Sequence, residues 1–328
     1  MPQETGGGPL RLGLAGAWPP ELDLAATQTL DWLVLAALVI AWGSAFGALK
    51  IAVHEIPPAW NTVIRLWVAS GVLGIVCLIQ RERLPVLLPR PASAWGYYTV
   101  VGLVGMALPF FLYAFAATGL PSAVNAICNG ASPIFTAVLA YVWLRDEHMG
   151  LRRAVGVGLG FAGLVVLVAP RLAQGVSVET VALASALTGA ALYAVSNIVT
   201  RKAPPVASSV GGLMMCLTGA VMATLVTAAF EPLPATAPGW PAIASVVALG
   251  VFSTALGSVG YVFLIKRQGP VFMTMAIYLA PLWATALGVL LLGERPGLPA
   301  YAALALILTG VGLATTVKRS GPGEPRAA

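Results

Sequence analysis

Residues 131–147 read ASPIFTAVLAYVWLRDE, and residues 279–295, which lie 148 positions later, read LAPLWATALGVLLLGER. Both segments are apolar, have proline at their third position and end in charged residues. The same register extends upstream without a gap, and its matching pairs include Gly102 and Gly250, Ala107 and Ala255, Leu108 and Leu256, Tyr113 and Tyr261, Pro133 and Pro281, and Asp146 and Glu294. The chain is therefore predicted to contain two copies of one structural unit.

The composition is that of a membrane protein. Of the 328 residues, 59% are hydrophobic and 9% are charged, whereas soluble domains carry about 25% charged residues. This excludes a water-soluble enzyme, which needs charge over most of its surface, and a disordered chain, which would be polar. The basic residues form short clusters between long apolar runs, which indicates membrane anchoring and not nucleic-acid binding.

Ten apolar runs are long enough to cross a bilayer, whose core of about 30 Å needs roughly 20 residues of helix. These runs are 30–51, 58–79, 93–117, 121–144, 152–170, 178–200, 207–230, 241–265, 269–293 and 298–317. With a cytoplasmic N-terminus, 14 lysines and arginines fall in inside segments and 3 in outside segments, which follows the positive-inside rule. Five helices per copy is an odd number, so the second copy enters the membrane from the opposite face.

The predicted fold class is therefore an all-α membrane protein with ten transmembrane helices, arranged as two inverted five-helix repeats. The first repeat covers 30–170 and the second covers 178–317, with a disordered cytoplasmic tail at 1–29 and a second cytoplasmic tail at 318–328. Inverted repeats are typical of secondary transporters, whose substrate site lies near the bilayer midplane between the repeats. A duplicated scaffold that serves only packing is the alternative.

The segment WGSAFGALKIAV at 42–53 and the two segments quoted above together resemble the signature segments of the EamA family, in the drug/metabolite transporter superfamily. The resemblance covers about 30–317. It implies a ten-helix transporter with both termini inside, in which helices 1, 3, 4, 6, 8 and 9 line the cavity and helices 5 and 10 pack outside. It implies no particular cargo. Two departures are visible: the first repeat reads LRDE at 144–147 instead of LGER, and the second reads Tyr193-Ala194 instead of Trp-Gly.

Helices 1 and 4 offer the first candidates for lining a substrate cavity. Helix 1 carries Trp42, Ser44 and Phe46, and the two aromatic residues are four apart on one face. Helix 4 carries Asn125 and Asn129 at the same spacing, and both amides should turn inward because they are costly in lipid. Close helix packing for helix 1, and interhelical hydrogen bonding for the amides, are the alternatives.

Two prolines point to the same region. Pro133 is predicted to bend helix 4 and free a backbone carbonyl, and Pro281 to repeat the bend in helix 9. Interrupted helices at matching positions of two halves indicate a binding site. Tyr278 lies in this stretch of helix 9, and Ser196 and Asn197 on helix 6 would complete a polar ring. Hydrogen bonds between helices are again the alternative for these side chains.

Arg65 is the one basic residue predicted within a span, about seven residues into helix 2. A charge there costs at least ~2.5 kcal/mol, so it should face the bundle interior and have a partner. Carbonyls at a helix end, or Glu55, are the candidate partners, and Arg65 then acts either as a structural clasp or as an anion contact. Lys50, near the outer end of helix 1, either lines the outer vestibule or extends to the interface.

The missing residue types narrow the function. No acid lies in the middle third of a span and both histidines lie in loops, so no buried proton relay is evident. Helix 1 has only Asp31, at its cytoplasmic end. Intramembrane catalysis is disfavoured for lack of a base at span depth, and no cofactor, metal ion or nucleic acid is implied. The sequence thus predicts an inner-membrane transporter that exports or exchanges a small zwitterionic or anionic, amino acid-like metabolite by alternating access; a non-transporting scaffold or lipid-handling protein is the alternative.

Overall fold

A computed structural model describes residues 29–85, 93–143, 150–173, 175, 177–233 and 236–315. Within these ranges all regular structure is helical and no strand occurs. The helices are α1 (Thr29–Ala52), α2 (Pro58–Ile79), α3 (Ala94–Gly119), α4 (Ser122–Trp143), α5 (Leu151–Leu172), α6 (Val178–Lys202), α7 (Ser208–Phe230), α8 (Trp240–Gly269), α9 (Met275–Leu291) and α10 (Leu298–Thr315). The predicted tails, apart from Thr29, and the acidic end of the first repeat segment at Asp146 lie outside the described residues.

Each of the ten predicted spans coincides with one of these helices. In the described part of the chain, eight helices are long and apolar enough to cross a membrane, namely α1 to α8. The two others, Met275–Leu291 and Leu298–Ala314, are shorter apolar helices. The prediction of an all-helical membrane fold is confirmed, and the number of ten crossings stays a prediction.

The two halves of the chain interlock through their helices. In the first half, α1 packs on α8 and α9 of the second half, and α2 packs on α8. In the second half, α6 packs on α3 and α4, and α7 packs on α3. Each half therefore completes its core with the third and fourth helices of the other half, which creates a shared interior.

Helices α5 and α10 pack against each other at the edge of this bundle. Their backbones approach closely at Gly156 and Gly310, since a Cβ on Gly156 would lie 2.6 Å from the Gly310 carbonyl oxygen. Small residues allow such contact between helices in a membrane. This pair fixes the periphery of the fold and leaves the interior to the other helices.

The predicted helix interruptions are found in one half only. α4 is interrupted at Ala131, between Ser122–Gly130 and Ser132–Trp143, just before Pro133. The matching interruption at Pro281 is absent, because the only non-helical backbone in Gly257–Leu291 is at Gly269, with φ 80° and ψ 172°.

Gly269 stands 148 positions after Pro121, the residue that joins α3 to α4. Its positive φ, which glycine adopts at little cost, therefore makes the turn between α8 and α9. Proline at 281 is accommodated inside the helix beyond that turn.

A different irregularity does occur in both halves. α3 contains a π-helical segment at Leu103–Ala107, and α8 contains one at Leu249–Leu256. In the register of 148 residues the first segment falls within the second. π-Helical turns are rare and frequently mark functional sites, so these two segments direct attention to the helix faces on which they lie.

A glycine lies at the start of each π segment, at a point where another helix approaches. Gly102 immediately precedes the segment in α3, and Gly250 is the second residue of the segment in α8. A Cβ on Gly102 would lie 2.7 Å from the carbonyl oxygen of Met215 in α7. A Cβ on Gly250 would lie 2.9 Å from the carbonyl oxygen of Arg65 in α2. The absence of a side chain at both positions brings α7 against α3, and α2 against α8, at equivalent levels of the two halves.

Candidate functional site

A cavity of about 280 Å³ lies where the two halves meet. This volume is close to the lower end of small-molecule sites, about 300–1,000 Å³. Helices α1, α2, α3, α4, α6 and α8 form its wall, through Trp42, Ala45, Phe46, Leu49, Arg65, Gly105, Met106, Phe110, Tyr113, Asn129, Tyr193, Ser253, Thr254 and Ser258. α2 is therefore part of the wall, whereas α9, which the resemblance implied, is not.

Both π segments contribute residues to the wall of this cavity, and the two sets of side chains differ in chemistry. Three equivalent pairs of wall positions, 148 residues apart, are Gly105 and Ser253, Met106 and Thr254, and Phe110 and Ser258. The α3 member of each pair has no polar side chain, and the α8 member has a hydroxyl group. One backbone irregularity thus supplies an apolar wall in the first copy and a hydrogen-bonding wall in the second.

Arg65 reaches the polar wall from α2. Its Nε donates a hydrogen bond to Thr254 Oγ1 at 2.9 Å, and its Nη2 donates one to Ser253 Oγ at 3.4 Å. The Thr254 hydroxyl donates its own proton to the Leu249 carbonyl oxygen at 3.0 Å, which leaves its lone pairs for the guanidinium. The opposite face of the guanidinium is covered by the ring of Phe110, 3.7 Å from the Arg65 Cζ to the ring centroid.

The positive charge of Arg65 has no acidic partner among the described residues. The expected partners were helix-end carbonyls or Glu55, and both expectations are wrong. Glu55 instead accepts a hydrogen bond from the backbone N–H of Gly239. Arg65 is 8% exposed, and hydroxyl dipoles bind a buried cation without neutralising its charge. The cavity wall therefore carries a positive charge that no acid among the described residues neutralises.

A cluster of aromatic rings forms another part of the cavity wall. The ring of Tyr113 stacks on Tyr193 with centroids 5.7 Å apart and meets the edge of Phe46 at 6.0 Å. Trp42 closes the wall beside them and donates a hydrogen bond from Nε1 to the Ser253 carbonyl oxygen at 3.1 Å. The Tyr113 hydroxyl is buried without a hydrogen-bond partner, which is rare for a buried polar atom. Tyr113 therefore contributes its ring to the wall while its hydroxyl stays buried behind it.

The two predicted amides on α4 have different positions. Asn129 lies in the cavity wall. The backbone carbonyl oxygen of Asn129 receives no hydrogen bond from residue 133, because proline has no N–H. Asn125 is fully buried outside the wall and donates a hydrogen bond from Nδ2 to the Tyr113 carbonyl oxygen at 3.0 Å. Asn125 therefore makes a hydrogen bond between helices, which was the alternative to lining the cavity, and its amide is turned toward α3.

Other predicted residues lie outside the cavity wall. Ser44 accepts a hydrogen bond from Trp283 Nε1 at 2.9 Å, so it faces α9. Asn197 is exposed and donates to Thr136 Oγ1 at 3.3 Å. Ser44 is thus turned toward α9, and Asn197 lies one helical turn beyond the wall residue Tyr193, where it contacts α4.

Two further candidates also pack beside the wall. Ser196 is buried next to Gly105, where it would contact any side chain at that position. Tyr278 is half-buried against the hydrophobic cluster that includes Tyr113 and Ile134. The polar ring expected from α6 and α9 is therefore replaced by the hydroxyl groups of α8.

Lys50 is a clasp between helices. Its Nζ donates to the carbonyl oxygens of Ala117 at 2.8 Å and Leu120 at 2.9 Å, at the end of α3. The last carbonyls of a helix have no partner within it and carry partial negative charge. Lys50 does not line the central cavity, and its expected place at the outer vestibule or the interface stays a prediction.

Glu294 holds the adjoining start of α4. Its carboxylate accepts hydrogen bonds from the Ser122 backbone N–H at 2.6 Å, the Ser122 hydroxyl at 2.9 Å and the Ala123 N–H at 3.2 Å. An acid at a helix N-terminus satisfies unpaired N–H groups and the helix dipole. Glu294 was recognised in the sequence only as part of a repeat, although its charge in an apolar context was the signal for this role.

Ser253, Thr254 and Ser258 line the cavity but were not among the predicted site residues. For Ser253 and Thr254 the signal was present, since both lie within residues 250–256, which match residues 102–108 with identical residues at 250, 255 and 256; Ser258 lies two residues beyond this stretch. Within this matched stretch, Ser253 and Thr254 stand where the first copy has Gly105 and Met106. Such a difference marks positions at which the two copies have different tasks.

A family model described as the EamA-like transporter family matches the chain twice, at residues 30–169 and 177–316. The protein belongs to the EamA-like transporter family. The resemblance stated from the signature segments is confirmed, and the two copies of the unit are the two matched regions. As a family member the chain is a multi-pass membrane protein of the transporter class.

Three bacterial transporters are similar to this EamA-family chain over most of its length. An uncharacterized transporter, YvbV, of Bacillus subtilis is 28% identical over 89% of this chain and 94% of its own. An uncharacterized inner membrane transporter, YedA, of Escherichia coli is 28% identical over 89% and 92%. A probable terminal-alkyne amino-acid exporter of Streptantibioticus cattleyicolor is 28% identical over 84% and 90%. These similarities support transport and an inner-membrane location.

One solved crystal structure resembles this EamA-family fold with a TM-score of 0.60. It covers 88% of this chain and 98% of its own at 22% identity. The likeness concerns the fold alone, and the chemistry of the cavity rests on the residues of this chain.

Proposed function

We propose that the protein moves a small amino acid-like metabolite, zwitterionic or anionic, across the inner membrane through the central cavity by alternating access. The observation that carries this proposal is Arg65, a buried cation in the cavity wall with hydroxyl partners and no acid among the described residues. An ionisable residue inside a membrane usually marks a substrate pathway. A carboxylate on the substrate would supply the missing negative charge.

The remaining wall suits the rest of such a molecule. The aromatic faces of Tyr113 and Tyr193 offer apolar contact and attract an ammonium group. The side chains of Asn129 and Ser258 offer neutral hydrogen-bonding atoms. Among the described residues the cavity wall has one cation, Arg65, so a single carboxylate matches it better than a doubly charged anion.

The topology that goes with this function has ten crossings, inverted repeats and both termini in the cytoplasm. The distribution of basic residues and the reciprocal packing of the two halves support it. Single cysteines placed in each tail, in a background without Cys77, Cys128 and Cys216, should resist a membrane-impermeant maleimide in intact cells. Labelling of only one tail would contradict an even number of crossings.

Transport is proposed to run as export or exchange without a buried proton site. Among the described residues the cavity wall has no carboxylate or histidine. Asp31, the buried acid of α1, is paired with Arg267, whose Nε lies 2.7 Å from Asp31 Oδ1. Coupling then comes from the gradient and charge of the substrate itself, so collapsing the pH gradient should leave counterflow unchanged.

The deciding experiment is counterflow in proteoliposomes with a panel of neutral amino acids. Amino acids should exchange, and their methyl esters and amides, which lack the carboxylate that Arg65 would bind, should neither exchange nor compete. Equal transport of esters and acids would remove Arg65 from the proposed site. Failure of the protein to exchange any member of the panel, with the fold intact, would favour the scaffold or lipid-handling alternative.

A further inference from the structure

A second pocket, of about 250 Å³, adjoins the central cavity. We name it the mouth pocket; helix α2 and the chain after it, α7 and α8 form it, through Leu73, Gln80, Glu82, Ala207, Ser208, Ser209, Ser258, Val259, Val262, Phe263 and Lys266. Ser258 lines both spaces. A molecule in the mouth pocket is therefore one side chain away from the hydroxyl wall that holds Arg65.

The mouth pocket contains one acid and one base that do not bind each other. Glu82 and Lys266 are both exposed, and neither has an ion-pair partner within the described ranges of the chain. Glu82 follows α2 and Lys266 lies near the end of α8, so the two charges stand on different walls. Unpaired charges of opposite sign on one small pocket are suited to a ligand that carries both signs.

The other polar atoms of this pocket are neutral. Ser208 and Ser209, in the first turn of α7, contribute hydroxyl groups, and Gln80 contributes an amide. A simple anion would be repelled by Glu82, and a simple cation would be repelled by Lys266. A zwitterion avoids both repulsions, because its ammonium can approach the carboxylate while its carboxylate approaches the lysine.

We propose that the mouth pocket is a loading site for zwitterionic α-amino acids, with the ammonium at Glu82 and the carboxylate at Lys266. The carboxylate then passes Ser258 and reaches Arg65 in the central cavity. This inference rests on the proposed transport function and deepens it, since it selects zwitterions over anions. With the proposed topology the loading site opens to the cytoplasm, where an exporter collects its substrate.

The experiment uses inside-out membrane vesicles, which present the cytoplasmic face to the medium. Uptake of each transported neutral amino acid, and of its N-acetyl derivative, is measured for the wild type, Glu82→Gln and Lys266→Gln. Two matched controls remove exposed basic charges that lie outside both cavities, Arg83→Gln beside Glu82 and Lys202→Gln at the end of α6.

The expected result is a rise in KM for amino acids of about three- to fivefold in Glu82→Gln and in Lys266→Gln, the size typical of an exposed charge contact, with kcat unchanged. The N-acetyl derivatives lack the ammonium, so Glu82→Gln should not raise their KM. The two control variants should behave as the wild type. Size-exclusion profiles of all variants should agree, because the changes are confined to exposed side chains.

Three outcomes would overturn the inference. An unchanged KM in both variants would show that the pocket binds no charged group of the substrate. An equal change for amino acids and N-acetyl derivatives, confined to kcat, would mean that Glu82 and Lys266 pair with each other when the pocket closes. A wild type that moves no amino acid would refute the proposed function itself, and this result is distinct from normal transport with insensitive variants.

Discussion

The π segments of α3 and α8 are the same backbone feature with different side chains. Both lie in the cavity wall, and both follow or include a glycine that admits a neighbouring helix. α8 presents Ser253 and Thr254 to Arg65, whereas α3 presents Gly105 and Met106 at the matching positions. The duplicated architecture thus places a π segment at equivalent positions of both copies, while the hydroxyl groups that bind Arg65 occur in the second copy.

The largest effect is expected from Arg65→Gln, which removes the charge that distinguishes α2 from its counterpart α7. The proposed contact with the substrate carboxylate is lost, a charged interaction worth about 1.5–3 kcal/mol, so amino-acid counterflow should fall by about 10- to 100-fold. Arg65→Lys keeps the charge and should retain part of the activity. Counterflow that survives Arg65→Gln with an unchanged KM would assign Arg65 to packing alone.

Gly102 and Gly250, the glycines at the start of the two π segments, provide a test of the shared architecture. Gly102→Ala and Gly250→Ala each place a Cβ under 3 Å from backbone of the facing helix. Such overpacking costs about 1–3 kcal/mol, so the melting temperature in detergent should fall by about 2–8 °C in both variants.

Transport should separate the two glycine variants. The backbone atom that Gly250→Ala displaces belongs to Arg65, so transport per folded molecule should fall in this variant and not in Gly102→Ala. Equal activity losses in the two copies would contradict the division of tasks between them.

A smaller effect is expected when the hydroxyl wall itself is changed. Thr254→Val keeps the shape of the side chain but removes the acceptor of the Arg65 Nε hydrogen bond, so KM should rise about tenfold. Met106→Leu, at the equivalent position of α3, should alter KM by less than about twofold. A similar KM for both variants would show that Thr254 does not orient Arg65.

The smallest effect distinguishes two amides that the sequence analysis treated alike. Asn129→Ala removes a polar group from the cavity wall and should raise KM by about threefold. Asn197→Ala changes an exposed residue on α6, and both transport and stability should stay within about 0.5 kcal/mol of the wild type. Reversed results would place the substrate path on the outer face of α6.

Helix positions were predictable from the sequence because apolar runs of defined length are a direct requirement of the bilayer. The observed bounds of α2, Pro58–Ile79, are the predicted ones, and most other helices differ by one or two residues at each end. The register of 148 residues identified the duplication in the same way. Both signals are carried by many residues at once, so single substitutions do not hide them.

Side-chain partners were less predictable, because they depend on helix rotation and on local backbone irregularity. A charge inside α2 required a partner, yet two hydroxyl groups on a π segment met that requirement and Glu55 did not. Asn125 and Asn129 share a helix face in sequence, but α3 approaches at Asn125, whose amide binds the Tyr113 carbonyl oxygen, whereas Asn129 one turn later lines the cavity. A regular helical wheel cannot show these effects.

The reciprocal packing of the two halves has a consequence for how the protein is made. While the ribosome is still synthesising the second half, α1 and α2 have no α8 or α9 against which to pack. The newly inserted first half must therefore wait in the bilayer with Arg65 unclasped and its inner faces open to lipid or to an assembly factor. The first half can therefore complete its packing only after α9 has entered the membrane. A chain that stops after α7 would lack the helices on which α1 and α2 pack, so we expect it to be degraded.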